Sequence, residues 1–289
     1  MASLRDVKTK IGAVKKTKQI TKAMNMVASA KLRNAQSRIE RFKPYAQKFF
    51  EMLGDLAAGA DESVHPLLAK REEKTTVGIV IVTSDRGLCG SFNANLIKAA
   101  LKLAREKKAE GLGVKFYCVG KKGRDAVRKA EHEIVVQYRD VMNSFDFTLA
   151  SKLGGELINS FLDGTLDEVV LVYGEFISMA RQVPVSQTVL PISGTPGESK
   201  SSGKEYVYEP SVEGLLAELL PRFVKVQVYR GMLDTSASEH AARMSAMDNA
   251  TRACDDMIGS LTLLFNKTRQ AAITRDLMDI VGGAEALKG

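Results

Sequence analysis

Eight residues, Ser84-Asp85-Arg86-Gly87-Leu88-Cys89-Gly90-Ser91, stand between an apolar β-run and a helical stretch. In α/β folds that position often cradles a phosphate, because backbone N–H groups and a helix N-terminus converge there. The spelling is neither G-x-G-x-x-G nor G-x-x-x-x-G-K-S/T, and no lysine follows to reach a phosphate. The turn therefore reads either as a phosphate cradle or as a tight strand-to-helix connection. Cys89 lies where a helix N-terminus could activate a thiol. The three histidines, His65, His132 and His240, offer it no evident base, which argues against nucleophilic catalysis.

Two other constellations carry charge or hydrogen-bonding capacity. Residues 1–43 hold twelve Lys and Arg against Asp6 and Glu40, so the chain's +8 charge is concentrated in its first segment. Such a surface suits nucleic acid, an anionic membrane or an acidic protein loop, or is a solvated helix face. Its aromatics (Phe42, Tyr45, Phe49, Phe50) cluster at the far end, away from most of the lysines, which disfavours base stacking. Near the other terminus, Asn266–Thr274 puts polar groups within an otherwise apolar-patterned helix. Arg269 and Gln270 splay over neighbouring faces there, either to bond one encircling partner or simply as an exposed face.

The elements that must position these groups follow from spacing. Leu4, Val7, Ile11, Val14, Ala28, Leu32, Ala35, Ile39, Phe42, Ala46, Phe49, Leu53 and Leu56 recur every three or four residues. That is a heptad stripe on one helix, roughly 80 Å long. The stripe turns polar at Lys18, Thr21 and Asn25 while Ile20, Met24 and Val27 carry the apolar character. This predicts that it rotates there to face something other than its coiled-coil partner. Pro44 is expected to kink the helix and not to end it, with Gly59, Asp61 and Pro66 as the stop. From residue 77 the texture changes to strands at 77–83, 114–119, 134–138, 169–176 and 183–192, alternating with helices at 93–108, 123–130 and 147–162. That alternation predicts a mainly parallel sheet. Gly194–Gly203 reads as a loop. After Pro210 the pattern is helical, with a seam at Met247, Ala250, Cys254, Met257, Leu261 and Leu264, then Ile273, Leu277 and Ile280. Residues 239–289 carry six basic and seven acidic groups, so this helix can lie beside the basic one without repulsion.

The predicted architecture is an antiparallel coiled coil of N- and C-terminal helices with an inserted Rossmann-like α/β domain. Its boundaries are 1–58 for the first helix, 75–208 for the α/β domain and 210–289 for the second helix. Cys89, Cys118 and Cys254 show no disulfide or zinc spacing. No secretory signal and no membrane-length apolar run is read in the chain.

With these residues assembled, the chain resembles the gamma subunit of F-type ATP synthase, the central rotor shaft. The likeness rests on Ile20-Thr21-Lys22-Ala23-Met24-Asn25-Met26-Val27-Ala28, on Asp85–Gly90, and on Ile273-Thr274-Arg275-Asp276-Leu277-Met278-Asp279-Ile280-Val281-Gly282-Gly283-Ala284. Asp276 departs from the family's usual Glu but keeps the charge. The resemblance implies a non-catalytic subunit without a cofactor, coupling ion flow through a membrane ring to ATP synthesis or hydrolysis on beta subunits. It implies as partners three alpha and three beta subunits, epsilon and the membrane c-ring, and no nucleic acid. It places Met24, Arg269, Gln270 and Thr274 against beta-subunit loops, and Tyr206, Tyr208 and Glu209 toward the membrane ring and epsilon. The match begins at Met1, with no transit segment or paired-cysteine insertion, which implies a peripheral protein on the cytoplasmic face of a bacterial inner membrane. The competing readings are a basic coiled-coil nucleic-acid-binding protein and a dinucleotide-dependent enzyme.

Overall fold

The computed structural model describes residues 3–57, 65–69, 71, 73–192 and 212–286. Its elements run α1 (Leu4–Ala57), β1 (Thr76–Val82), α2 (Phe92–Ala109), β2 (Gly113–Val119), α3 (Lys121–Lys129), β3 (Glu133–Tyr138), α4 (Phe147–Leu162), β4 (Glu168–Phe176), β5 (Gln182–Leu190) and α5 (Val212–Ala286). Pro44 lies inside α1 and Pro221 inside α5, and neither ends its helix. The chain forms two compact units. One holds the residues up to Ala28 together with those from Met244 onward, the other Ser29–Arg243.

The larger unit is built on a five-stranded sheet of order β3-β2-β1-β4-β5. The first four strands are parallel and β5 pairs antiparallel with β4. From Val77 on, β1 is apolar because both its faces are covered, as buried parallel strands require. Val77, Ile79 and Ile81 pack on α2 and α3, with Phe92, Leu96, Ala100 and Val127. Val80 and Val82 face the opposite core, where α4 contributes Leu153, Leu157 and Phe161, α1 Phe49 and Leu53, and α5 Leu216 to Leu233. Aromatic edges join α1 to α5 here, with Phe42 against Tyr229 at 5.1 Å and Phe50 against Phe223 at 5.6 Å. These pairs run antiparallel.

Buried polar groups brace both ends of the sheet. At the start of β1, Asp167 is 4% exposed and accepts the Thr75 and Thr76 amides at 2.7 and 2.9 Å and an Arg71 guanidinium at 2.6 Å. Burial alone would raise this carboxyl, but those bonds outweigh it and hold the group well below the usual carboxylate range. At the other end, Gly120 joins β2 to α3 with φ +95°. A Cβ there would fall 2.1 Å from the Thr83 carbonyl oxygen, so only glycine fits.

In the smaller unit, α1 and α5 wind antiparallel. Thr21 Oγ1 meets Thr251 Oγ1 at 2.8 Å, Lys18 pairs with Asp255, and the Asn25 side chain donates to the Met244 carbonyl at 2.9 Å. Lys18, Thr21 and Asn25 therefore continue the heptad of Leu4, Val7, Ile11, Val14 and Ala28, all at least half-buried. The predicted rotation of the stripe does not occur. A polar layer replaces the apolar one because α5 offers hydroxyl, carboxylate and carbonyl groups opposite. Ile20, Met26 and Val27 are left exposed on the outside.

The second seam also needs correction. The α5 residues facing inward are Met244, Met247, Thr251, Cys254, Ile258, Leu261, Phe265, Thr268 and Ala272, while Met257 and Leu264 are exposed. The bonded pairs put Leu4, where α1 begins, opposite about residue 268 at one α-helical register. Every described side chain from Ile273 onward is exposed, because that part of α5 outruns its partner. Ile273, Leu277 and Ile280 are thus surface residues, not a shifted seam.

Candidate functional site

The 84–91 turn is a structural knot. Asp85 is 7% exposed, and its carboxylate accepts the amides of Lys121 and Asp140 at 2.9 Å through one oxygen and that of Met142 at 2.9 Å through the other. Lys121 is the first residue of α3, so the protein's own carboxylate occupies the anion position at that helix N-terminus. Ser84 and Asn93 bond one another at 2.7 Å, and Arg243 on α5 donates to the Gly87 carbonyl at 3.1 Å while pairing with Glu239 at 2.7 Å. Of the two sequence-based readings, the geometry supports the strand-to-helix connection.

Cys89 is not an activated thiol. Burial pushes it up from its ordinary value, with Arg243 only partly opposing, and its hydrogen-bond partner is the Asn93 amide at 3.1 Å. His240 sits on α5 in contact with Arg243 at 3.4 Å. Burial, then the charges of Arg243 and Lys31, push its imidazole down to about 4, so it is neutral at pH 7. Neither group has the partner that nucleophilic chemistry requires. Leu88, at φ +63° and 65% exposed, is the residue this knot thrusts outward.

The remaining candidates lie on the paired helices. Met24 is half-buried on α1, one residue before Asn25 of the polar layer. Arg269, Gln270 and Thr274 are exposed on α5. Gln270 and Thr274 are four apart and share a face, with Arg269 on the adjoining one. The register sets Met24 opposite about residue 248, so roughly 30 Å of helix at 1.5 Å per residue separates it from Arg269. The structure does not bring these four together; it places them in two belts. Sequence reasoning missed a third surface, the apolar residues Leu277, Met278, Ile280 and Val281 at the end of α5. Counting back from the start of α1 would have revealed it, since no α1 residue is left to cover them. Tyr206, Tyr208 and Glu209, with the 194–203 loop and the Gly59 and Asp61 stop, lie outside the described residues.

Comparison with known proteins extends over nearly the whole chain. A family model described as ATP synthase matches residues 3–287. The sequence is 72% identical over 291 residues to the ATP synthase gamma chain of Nitratidesulfovibrio vulgaris strain Hildenborough, covering all of both chains. It is 71% identical over 292 residues to the gamma chain of Maridesulfovibrio salexigens, again covering both completely. Among solved structures, the central stalk and c-ring of Tetrahymena thermophila mitochondrial ATP synthase matches with a TM-score of 0.59 at 25% identity. It covers 80% of this chain and 99% of that one. A chain of Euglena gracilis mitochondrial ATP synthase shares the fold with a TM-score of 0.67 at 20% identity, covering 98% and 94%.

Proposed function

This chain belongs to the ATP synthase gamma-chain family, and from that premise we infer how its parts serve a central-stalk rotor that performs no catalysis itself. The paired helices turn inside a ring of three alpha and three beta subunits. The α/β domain, taken as 75–208 between helices 1–58 and 210–289, lies toward epsilon and the membrane c-ring, with Tyr206, Tyr208 and Glu209 at that contact. Rotation of the asymmetric shaft couples ion flow through the ring to ATP synthesis or hydrolysis on the beta subunits. The complex then holds the chain peripherally on the cytoplasmic face of a bacterial inner membrane.

Met24 and the Arg269, Gln270 and Thr274 group form the bearing in this reading, as two belts about 30 Å apart. The observation that carries it is the coiled coil whose inward seam is satisfied while Ile20, Met26 and Val27 face outward beside basic residues. Apolar side chains left outside a closed seam mark a contact surface. A bearing also needs shallow contacts, and exposed ion pairs at roughly 0–1 kcal/mol each are shallow. The direct test is to mix the purified chain with alpha and beta subunits. One copy per three of each, with ATPase activity restored, is the expected result; failure to join such a complex defeats the reading.

A further inference from the structure

Within the larger unit, a cavity of about 320 Å³ opens between α1, the loop after β3 and α5. Its walls include Lys31, Asn34, Arg38, Arg41, Asn143 and His240, and no carboxylate lines it. None of the three cations forms an ion pair among the described residues. Lys31 donates to Asn143 Oδ1 at 2.8 Å, and Arg38 donates to the Phe145 carbonyl at 2.7 Å and to Tyr229 at 3.2 Å. Arg38 also lies 4.3 Å over the Phe145 ring, which fixes its plane while leaving N–H groups unspent, since a guanidinium carries five. Arg41 is exposed.

Three positive charges gathered with only Glu239 partly offsetting Lys31 repel one another, and that cost is relieved when an anion enters. The buried Glu239 of α5 is bonded to Arg243 at 2.7 Å and attracts Lys31 as well, so it offsets only part of their charge. Neutral His240, with Asn34 and Asn143, supplies hydrogen-bonding groups between the charges. The volume lies at the low end of small-ligand sites, roughly 300–1,000 Å³.

We propose that this cavity is a binding site for a compact phosphate-bearing anion of diphosphate size, held by Lys31, Arg38 and Arg41. The cavity borders the Asp85 knot through Met142 and His240, but its cations come from α1. The ligand is either free inorganic diphosphate or the diphosphate tail of a nucleotide, which share this chemistry.

The test is calorimetric titration of the full-length chain with sodium diphosphate, orthophosphate and ADP at constant ionic strength. Saturable binding of diphosphate at one site is expected. Arg41→Gln and Lys31→Gln should each weaken it about tenfold, as loss of one charge-assisted contact does. Arg33→Gln, exposed on the same helix but outside the cavity, should leave affinity unchanged. ADP binding as tightly as diphosphate would identify the nucleotide tail as the source, and preference for diphosphate the free anion. Absence of saturation by about 10 mM, a level of negligible affinity, overturns the proposal. So does an equal loss in Arg33→Gln and Arg41→Gln, which would mean diffuse attraction to a basic helix.

Discussion

Two single residues carry more of the larger unit's integrity than their size suggests. Gly120 occupies a left-handed backbone region against the Thr83 carbonyl, so Gly120→Ala should cost at least about 3 kcal/mol from strain and overlap combined. Urea unfolding should show this as a shifted midpoint. Asp167 ties three partners across the base of the sheet. Asp167→Asn should destabilise by roughly 2–3 kcal/mol at pH 7, the scale of losing charged hydrogen bonds. Because the folded carboxyl titrates below its unfolded value of about 3.9, its contribution is present above that pH and fades as pH falls below it. The gap between wild type and variant should therefore close in acid unfolding curves. Neither role was legible in the sequence. The partners of Asp167 lie 96, 92 and 91 positions away, and a carboxylate at the head of a strand carries no mark of such distant groups.

At the scale of elements, the strands were readable to within about two residues because runs such as Val77–Val82 are short, rich in β-branched residues and followed by a turn. The first helix was equally plain, since its apolar seam persists through Pro44. The polar layer misled, and for a specific reason. Lys18, Thr21 and Asn25 look like surface residues until Thr251, Asp255 and the Met244 carbonyl are placed opposite them. On α5 the exposed Met257 and Leu264 competed with the true seam residues Ile258 and Phe265. Such layers fix register at some cost in stability. The Thr21–Thr251 bond should accordingly show a coupling of about 0.5–1 kcal/mol in a double-mutant cycle with alanine. Replacing both threonines by valine should raise the melting temperature while permitting alternative helix alignments, visible as broadened cross-helix distances between spin labels.

At the scale of the whole molecule, family membership was readable because three separated motifs occur in the expected order along one chain. The proposed contact residues were reachable only through that likeness, since single side chains on a helix surface give no periodic signal. Met24→Lys would put a fixed charge at one belt of the proposed bearing. In reconstituted vesicles it should lower the number of ions pumped per ATP hydrolysed while leaving assembly intact; an unchanged ratio removes Met24 from the bearing.

Among the described residues, the stretch of α5 beyond Ala272 is single where the rest of the smaller unit is a helix pair. Resistance of a rod to bending climbs steeply with its cross-section, so this roughly 20 Å tip at 1.5 Å per residue is the springiest part of the coil. It can lean without opening the paired seam, so a small sideways load at the end is taken up elastically there.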